Sequence, residues 1–238
     1  GIPTINKFFN SQLAQKLAST QKQADLLIGN NVLAHVPNLN DFIASLKIIL
    51  KPKGVITLEF PSLLELMEHN QFDTIYHEHF SYFSYLTIEK IFNHHGLSLF
   101  DVEELETHGG SFRIYIQHQK NSDNYISDNI SRIKLREKNH GLDKLDSYHN
   151  FSRKVEAIKY QLRQFLTKTK KSGKSIVAYG APAKGNTLLN YCGIGTDFID
   201  YTVDINPRKQ GRFLPGTHIP IFHPEKIKKT KPDYLFIL

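Results

Sequence analysis

An apolar run, an amphipathic stripe and a second apolar run follow one another between Ala24 and Phe60. Ala24 to Asn30 reads as a short buried strand. Phe42, Ile43, Leu46, Ile49 and Leu50 then recur at helical spacing behind Asn40, a fair N-cap. Lys51-Pro52-Lys53-Gly54 supplies the breakers that end a helix, and Val55 to Phe60 is the next strand. The alternation continues with a helix over Leu63 to His69 and another capped by Thr87, carrying Ile88, Ile91 and Phe92 and closed by Gly96. Two strands follow, Leu97 to Val102 and Ser111 to His118, and a short helix from Phe8 to Leu17 precedes everything. Such a series predicts the second half of a doubly wound Rossmann-type α/β sheet. The phosphate-binding glycine turn belongs to the first half of such a sheet, and nothing before Gly109 resembles it.

Residues 120–150 are rich in Asn, Ser, Asp and Lys and read as a connector, partly helical around Ile130 to Leu142. Phe151, Val155, Ile158, Leu162 and Phe165 mark one face of a long helix ended by Ser172-Gly173. Strands are expected at Ser175 to Tyr179, Phe198 to Val203 and from Tyr234 onward, with a helix through Leu188, Leu189 and Tyr191. The expected organisation is therefore a first α/β part over 1–119, a connector over 120–150 and a second Rossmann-like α/β domain over 151–238.

The 238 residues hold one cysteine, Cys192, which excludes an intrachain disulfide and a multi-cysteine zinc site and fits a reducing cytoplasm. No apolar run reaches the length of a membrane span. The net charge of +7 is spread over helical faces such as Arg153-Lys154 and Lys168 to Lys171, so nucleic acid is not the expected partner. The chain starts without Met and stops within the apolar run Tyr234 to Leu238, so both ends are expected to be artificial.

Chemistry concentrates in Asp73 to Ser84, where Tyr76, His77, Glu78 and His79 sit among aromatic residues just after a strand and its helix. Imidazoles titrate near neutrality, and aromatic surroundings hold off water, as a general acid/base site requires. His35 follows the carboxyl end of the preceding strand, where open α/β sheets bind ligands, and adjacent parallel strands bring such loops together. A metal site at His35, His77, Glu78 and His79 is disfavoured because no helical His-x-x-x-His spacing is present. In the second domain, Gly180-Ala181-Pro182-Ala183-Lys184-Gly185-Asn186-Thr187 joins a strand to a helix. Its small residues let backbone N–H groups approach a phosphate, although the Gly-x-Gly-x-x-Gly spacing is missing. Lys184 offers charge to a diphosphate, and Asp204 stands where an acid binds a ribose in Rossmann folds.

Four motifs, Asn30 to His35, Tyr76 to Phe80, His108 to Ser111 and Tyr179 to Thr187, together resemble the sugar C-methyltransferases, in order and over nearly the whole chain. The resemblance implies S-adenosylmethionine-dependent methylation at C-3 of a nucleotide-diphosphate 4-keto-deoxysugar, with a thymidine-diphosphate sugar as partner. It implies a longer parent as well, in which a zinc-binding domain and most of the S-adenosylmethionine site lie upstream. This chain itself carries no zinc site, and alone it is expected to be inactive. By resemblance His79 is the base, Glu78 orients it, and Tyr76 and His35 stabilise the enolate. Asn31 faces the same cleft, and Tyr179, Gly180, Lys184, Asn186 and Asp204 take the nucleotide. A monomer is favoured. Two other readings stay open: a nucleotide-sugar-binding module without chemistry, and a nicotinamide-dependent nucleotide-sugar enzyme.

Overall fold

Ile56, Leu58 and Phe60 point to one face of a strand, and each pairs across to a second strand, with Ile116, Ile114 and Phe112. All six are essentially inaccessible to water. Alternation with period two is what places them on one face, and burying each such side chain contributes about 1.5–3 kcal/mol. This ladder is the centre of the first of two compact units in the computed structural model, which describes residues 1–238. The first unit comprises Gly1–His69 and Glu78–Tyr148; the second comprises Asn70–His77 and His149–Leu238.

In the first unit, α1 (Ser11–Ser19) precedes β1 (Ala24–Asn30), a 3₁₀ turn (Leu33–His35), α2 (Leu39–Ile49) and β2 (Leu50–Pro61). Then come α3 (Leu63–Glu68), α4 (Tyr85–His94), β3 (Leu97–Leu105), a second 3₁₀ turn (Thr107–Gly109), β4 (Ser111–His118) and α5 (Asp128–His140). The sheet order is β1-β2-β4-β3; β1 and β2 are parallel, and β4 runs against both its neighbours. That is the half-sheet with a terminal strand pair expected from the sequence, and the pair is antiparallel. Side-chain caps start the helices, but two lie elsewhere than anticipated. Asn38 rather than Asn40 caps α2, and Ser84 rather than Thr87 caps α4. Lys51 to Gly54 does not separate helix from strand, because β2 already begins at Leu50.

β1 is also not buried. It forms one edge of the sheet, and Leu26 and Ile28 are 54% and 68% exposed. Residues 120–150 do not form a separate connector either. They carry α5, whose Glu137 is fully buried and accepts the N–H groups of Tyr85 (2.6 Å) and Leu86 (2.9 Å) at the start of α4. Burial pushes the Glu137 carboxyl up, against the opposing pull of those N–H groups and of Arg136. Arg136 itself ties α5 to α3 and β3 through Glu65 (2.7 Å), Glu68 and Glu104 (2.5 Å).

The second unit is built on the long α6 (Leu145–Lys171), which starts four residues before it, and on β5 (Ile176–Tyr179) and α7 (Ala183–Cys192). The remaining elements are β6 (Thr202–Val203), β7 (Ile221–Phe222), α8 (Glu225–Thr230) and β8 (Tyr234–Ile237). Its sheet is wholly parallel, in the order β7-β6-β5-β8. The sequence does not announce β7 or α8, and β6 is shorter than the run Phe198 to Val203. The α6 stripe holds through Leu162 and then passes to Leu166, which is fully buried, whereas Phe165 is 49% exposed. A period of 3.6 permits either residue, and packing selects the second.

Asn70–His77 belongs to this unit because Phe72 is buried in its core with Val155, Leu166 and Leu189. The Phe72 ring lies 5.2 Å from that of Tyr191 on α7. No helix is long and apolar enough to cross a membrane.

Candidate active site

At the carboxyl end of β1 the chain turns through Asn31 into the 3₁₀ turn Leu33–His35, anchored by buried Leu33 and Ala34. The carbonyl of Ala34 accepts the N–H of Phe80 (2.8 Å) and of Ser81 (3.4 Å), so the turn is zipped to the segment after Glu78. His35 Nδ1 stands 2.7 Å from the carbonyl oxygen of Glu78. A carbonyl only accepts, so Nδ1 is the donor of this contact. The His79 ring lies 4.8 Å from the His35 ring, tilted by 47°, and 5.8 Å from the Tyr82 ring, edge-on at 87°.

Two of the four expected acid/base side chains, His35 and His79, are thus neighbours. Glu78 meets His35 through its backbone, with its carboxylate exposed. His35 is exposed as well, and Phe80 is on the surface. Tyr76 and His77 lie in the second unit, where the Tyr76 N–H donates to the Thr74 carbonyl at 3.2 Å and the Tyr76 ring lies 6.5 Å from that of His77.

Behind Asn31 is a polar network that the sequence does not single out. Glu59, near the end of β2, is 6% exposed, and its oxygens accept from the Thr107 hydroxyl (3.1 Å) and from Arg113 (3.1 Å). Its carbonyl accepts the Asn31 N–H at 2.8 Å. Only the partners explain the burial of this carboxylate, and the partners come from β4 and from the β3–β4 turn. The one signal in the sequence is an acid placed within an otherwise apolar strand.

In the second unit, Gly180 leaves β5 with φ 99°, and α7 begins at Ala183. A Cβ on Gly185 would lie 2.7 Å from Leu238 Cβ, and one on Gly180 would lie 3.3 Å from the Leu238 carbonyl oxygen. These glycines therefore serve the packing of Leu238, just after β8, on the loop. Tyr179 is part-exposed at the end of β5, Lys184 is half-buried and forms no ion pair with a carboxylate, and the Asn186 Oδ1 is buried without a hydrogen-bond partner.

Asp204 is committed internally. Its Oδ2 accepts from the Ala181 N–H (2.9 Å) and from Lys209 (3.2 Å), and its Oδ1 accepts from the Asn206 N–H (2.8 Å). Burial alone would raise its pKa, but these donors outweigh burial and hold it below the usual carboxylate range.

Two family models match the chain: a methyltransferase domain over residues 3–102 and a C-methyltransferase C-terminal domain over residues 106–238. The chain belongs to the C-methyltransferase family that the second of these defines. Among curated proteins it is similar to the C-methyltransferase NovU of Streptomyces niveus, with 34% identity over all 238 residues. It spans 56% of that relative's length. Solved structures overlap only weakly. A SAM-dependent methyltransferase from Anabaena variabilis is 14% identical, with 46% of this chain and 55% of that one covered at a TM-score of 0.36. The PH0226 protein from Pyrococcus horikoshii is 14% identical, with 48% and 55% covered at a TM-score of 0.34.

Proposed function

We propose that this chain is the central and C-terminal part of an S-adenosylmethionine-dependent C-methyltransferase. Its substrate on this reading is a nucleotide-diphosphate 4-keto-deoxysugar, thymidine-linked, methylated at C-3 beside the ketone. The observation that carries the reading is the pairing of His35 with His79 at the carboxyl end of β1, in a chain of this family.

A proton α to a ketone is weakly acidic, so carbanion chemistry needs a positioned base and a donor to the developing oxyanion. His79 takes the C-3 proton. His35, fixed through Nδ1 on the Glu78 carbonyl, turns Nε2 to the sugar. Glu78 sets the ring of His35 through its backbone, and its carboxylate orients His79. S-adenosylmethionine, when bound, supplies the sulfonium methyl that the C-3 carbanion attacks. On this reading most of its site lies upstream of this chain, since no Gly-x-Gly loop precedes Gly109.

The loop from Tyr179 to Asn186 takes the diphosphate. Lys184 and the first N–H groups of α7 supply the positive potential. Asp204 acts on the ligand through the loop, which it ties down at Ala181.

His79→Asn in the parent enzyme is the test. Turnover should fall by about 10²–10⁴, the worth of a positioned base, with little change in nucleotide-sugar affinity. Exchange of the C-3 proton with deuterated water, followed without a methyl donor, should stop. Wild-type exchange in the variant would move the base elsewhere, with Glu78 and His35 as the next candidates.

A further inference from the structure

The turn between β3 and β4 is held more firmly than a hairpin connection needs. His108 has φ 56°, and across from it Asn31 has φ 55°. Residues with a Cβ are uncommon in this left-handed region, Asn and His less so than most, and glycine adopts it freely. The turn has glycines at hand, since Gly109 and Gly110 follow with φ 85° and 113°. Position 108 nevertheless carries an imidazole.

Every neighbour fixes its place. The Thr107 hydroxyl is bound to buried Glu59, Ser111 Oγ donates to the Thr107 carbonyl at 2.9 Å, and Glu59 is clamped by Arg113. A Cβ on Gly110 would collide with Cβ and Cγ of Glu65, so the turn lies hard against α3. The side-chain contact that this bracing delivers is between Asn31 Nδ2 and His108 Nε2, at 3.3 Å, on the surface at the carboxyl end of β1. Backbone strain held in place by a surrounding network gathers at functional sites.

The chemistry of the pair is defined by that contact. An amide nitrogen only donates, so Nε2 is the acceptor of this contact and Nδ1–H is left as a donor. Three valences remain: the Nδ1–H of His108, the second Nδ2–H of Asn31 and the Asn31 Oδ1. Donors and an acceptor without net charge match a hydroxyl group, which both gives and takes a hydrogen bond. A phosphate would call for cations instead.

We infer that His108, with Asn31, binds a ring hydroxyl of the sugar and so discriminates among deoxysugars. This rests on the nucleotide-sugar reading above and extends it to a residue outside the acid/base cluster.

The test uses the parent enzyme with a thymidine-diphosphate 4-keto-deoxyhexose as probe. His108→Gly relieves the backbone, so the melting temperature should hold or rise. KM for the nucleotide sugar should increase about tenfold, the scale of one hydrogen bond, while kcat stays within about threefold. His108→Asn, which tolerates the same backbone and keeps a donor, should recover part of the loss. In parallel, the ring nitrogens of His108 should shift in nitrogen NMR on adding the nucleotide sugar, and not on adding the bare nucleoside diphosphate.

A lower melting temperature with unchanged KM would make His108 a structural turn residue and overturn the inference, as would ring signals that ignore the nucleotide sugar. If the parent binds the probe without turnover, the catalytic reading fails while the ring shift still decides this contact. No binding of the probe at all would remove both.

Discussion

Replacing Glu137 by Gln tests how the far end of the motif segment is held. The segment runs into α4, whose first two N–H groups, those of Tyr85 and Leu86, end on the two oxygens of Glu137. Gln keeps the shape and one acceptor but turns an NH₂ group toward the other N–H. One buried donor is then orphaned, which costs about 1–3 kcal/mol, and the favourable charge at the helix start, about 0.3–1 kcal/mol, is lost. Against this, Gln removes the penalty of burying a carboxylate.

The direction of the pKa gives that offset its pH dependence. Burial holds the folded carboxyl above its ordinary value, so the unfolded chain releases the proton first as pH rises. The stabilisation Glu137 contributes is therefore complete below about pH 4.3, the ordinary glutamate value, and is lost as pH rises through the folded pKa. Glu137→Gln should cost about 1–3 kcal/mol near pH 4, shrinking toward pH 7. With a urea dependence of about 2 kcal/mol per molar, a loss of 2 kcal/mol moves the midpoint of the first unit by about 1 M. Circular dichroism in urea at several pH values reads the cost, and amide hydrogen exchange at Tyr85 and Leu86 reads its origin: one of the two amides should lose protection. Equal midpoints at every pH, with both amides still protected, would refute the assignment of Glu137 as the acceptor that holds the first two N–H groups of α4.

Lys184→Ala in the proposed diphosphate loop should weaken binding by roughly 1.5–3 kcal/mol, equally for a bare nucleoside diphosphate and for the nucleotide sugar, as measured by calorimetry; an unchanged Kd would remove Lys184 from the site. Asp233, bonded first to Lys174 and then to the N–H and hydroxyl of Ser175, is pulled down to about 2. Its contribution is therefore present above the ordinary aspartate value and lost as pH falls through about 2. Asp233→Asn should flatten that acid limb of the unfolding curve, and an unaltered limb would count against the bridge.

What the sequence discloses here divides by distance. Ile56, Leu58 and Phe60, and the matching alternation at Phe112, Ile114 and Ile116, are local patterns, and local patterns place the sheet. The meeting of His35 with His79 was legible too, because two loops leaving adjacent parallel strands at their carboxyl ends have to be neighbours. Membership of Asn70–His77 in the second unit was not legible. Phe72 looks like any aromatic plug until Tyr191 and Leu189, far downstream, are seen around it. The run Leu26-Leu27-Ile28 records its own hydrophobicity, and within residues 1–238 no strand pairs with β1 at its outer edge.

Asp204 carries the same lesson into chemistry. Its position at the end of β6 fits a ribose-binding acid, and position is what a sequence conveys. Whether its oxygens are still available is decided by Ala181, Lys209 and Asn206, and all three bind it. Lys209 also donates to the Ala181 carbonyl at 2.9 Å, so acid and base together clamp both polar groups of one loop residue. An acid that shapes a ligand loop and an acid that touches the ligand share one place in the chain, and they differ in the valences left after folding. Asn31 and His108 are the converse case: ordinary polar residues in the sequence, which the fold leaves with donors and an acceptor unspent on the surface at the carboxyl end of β1.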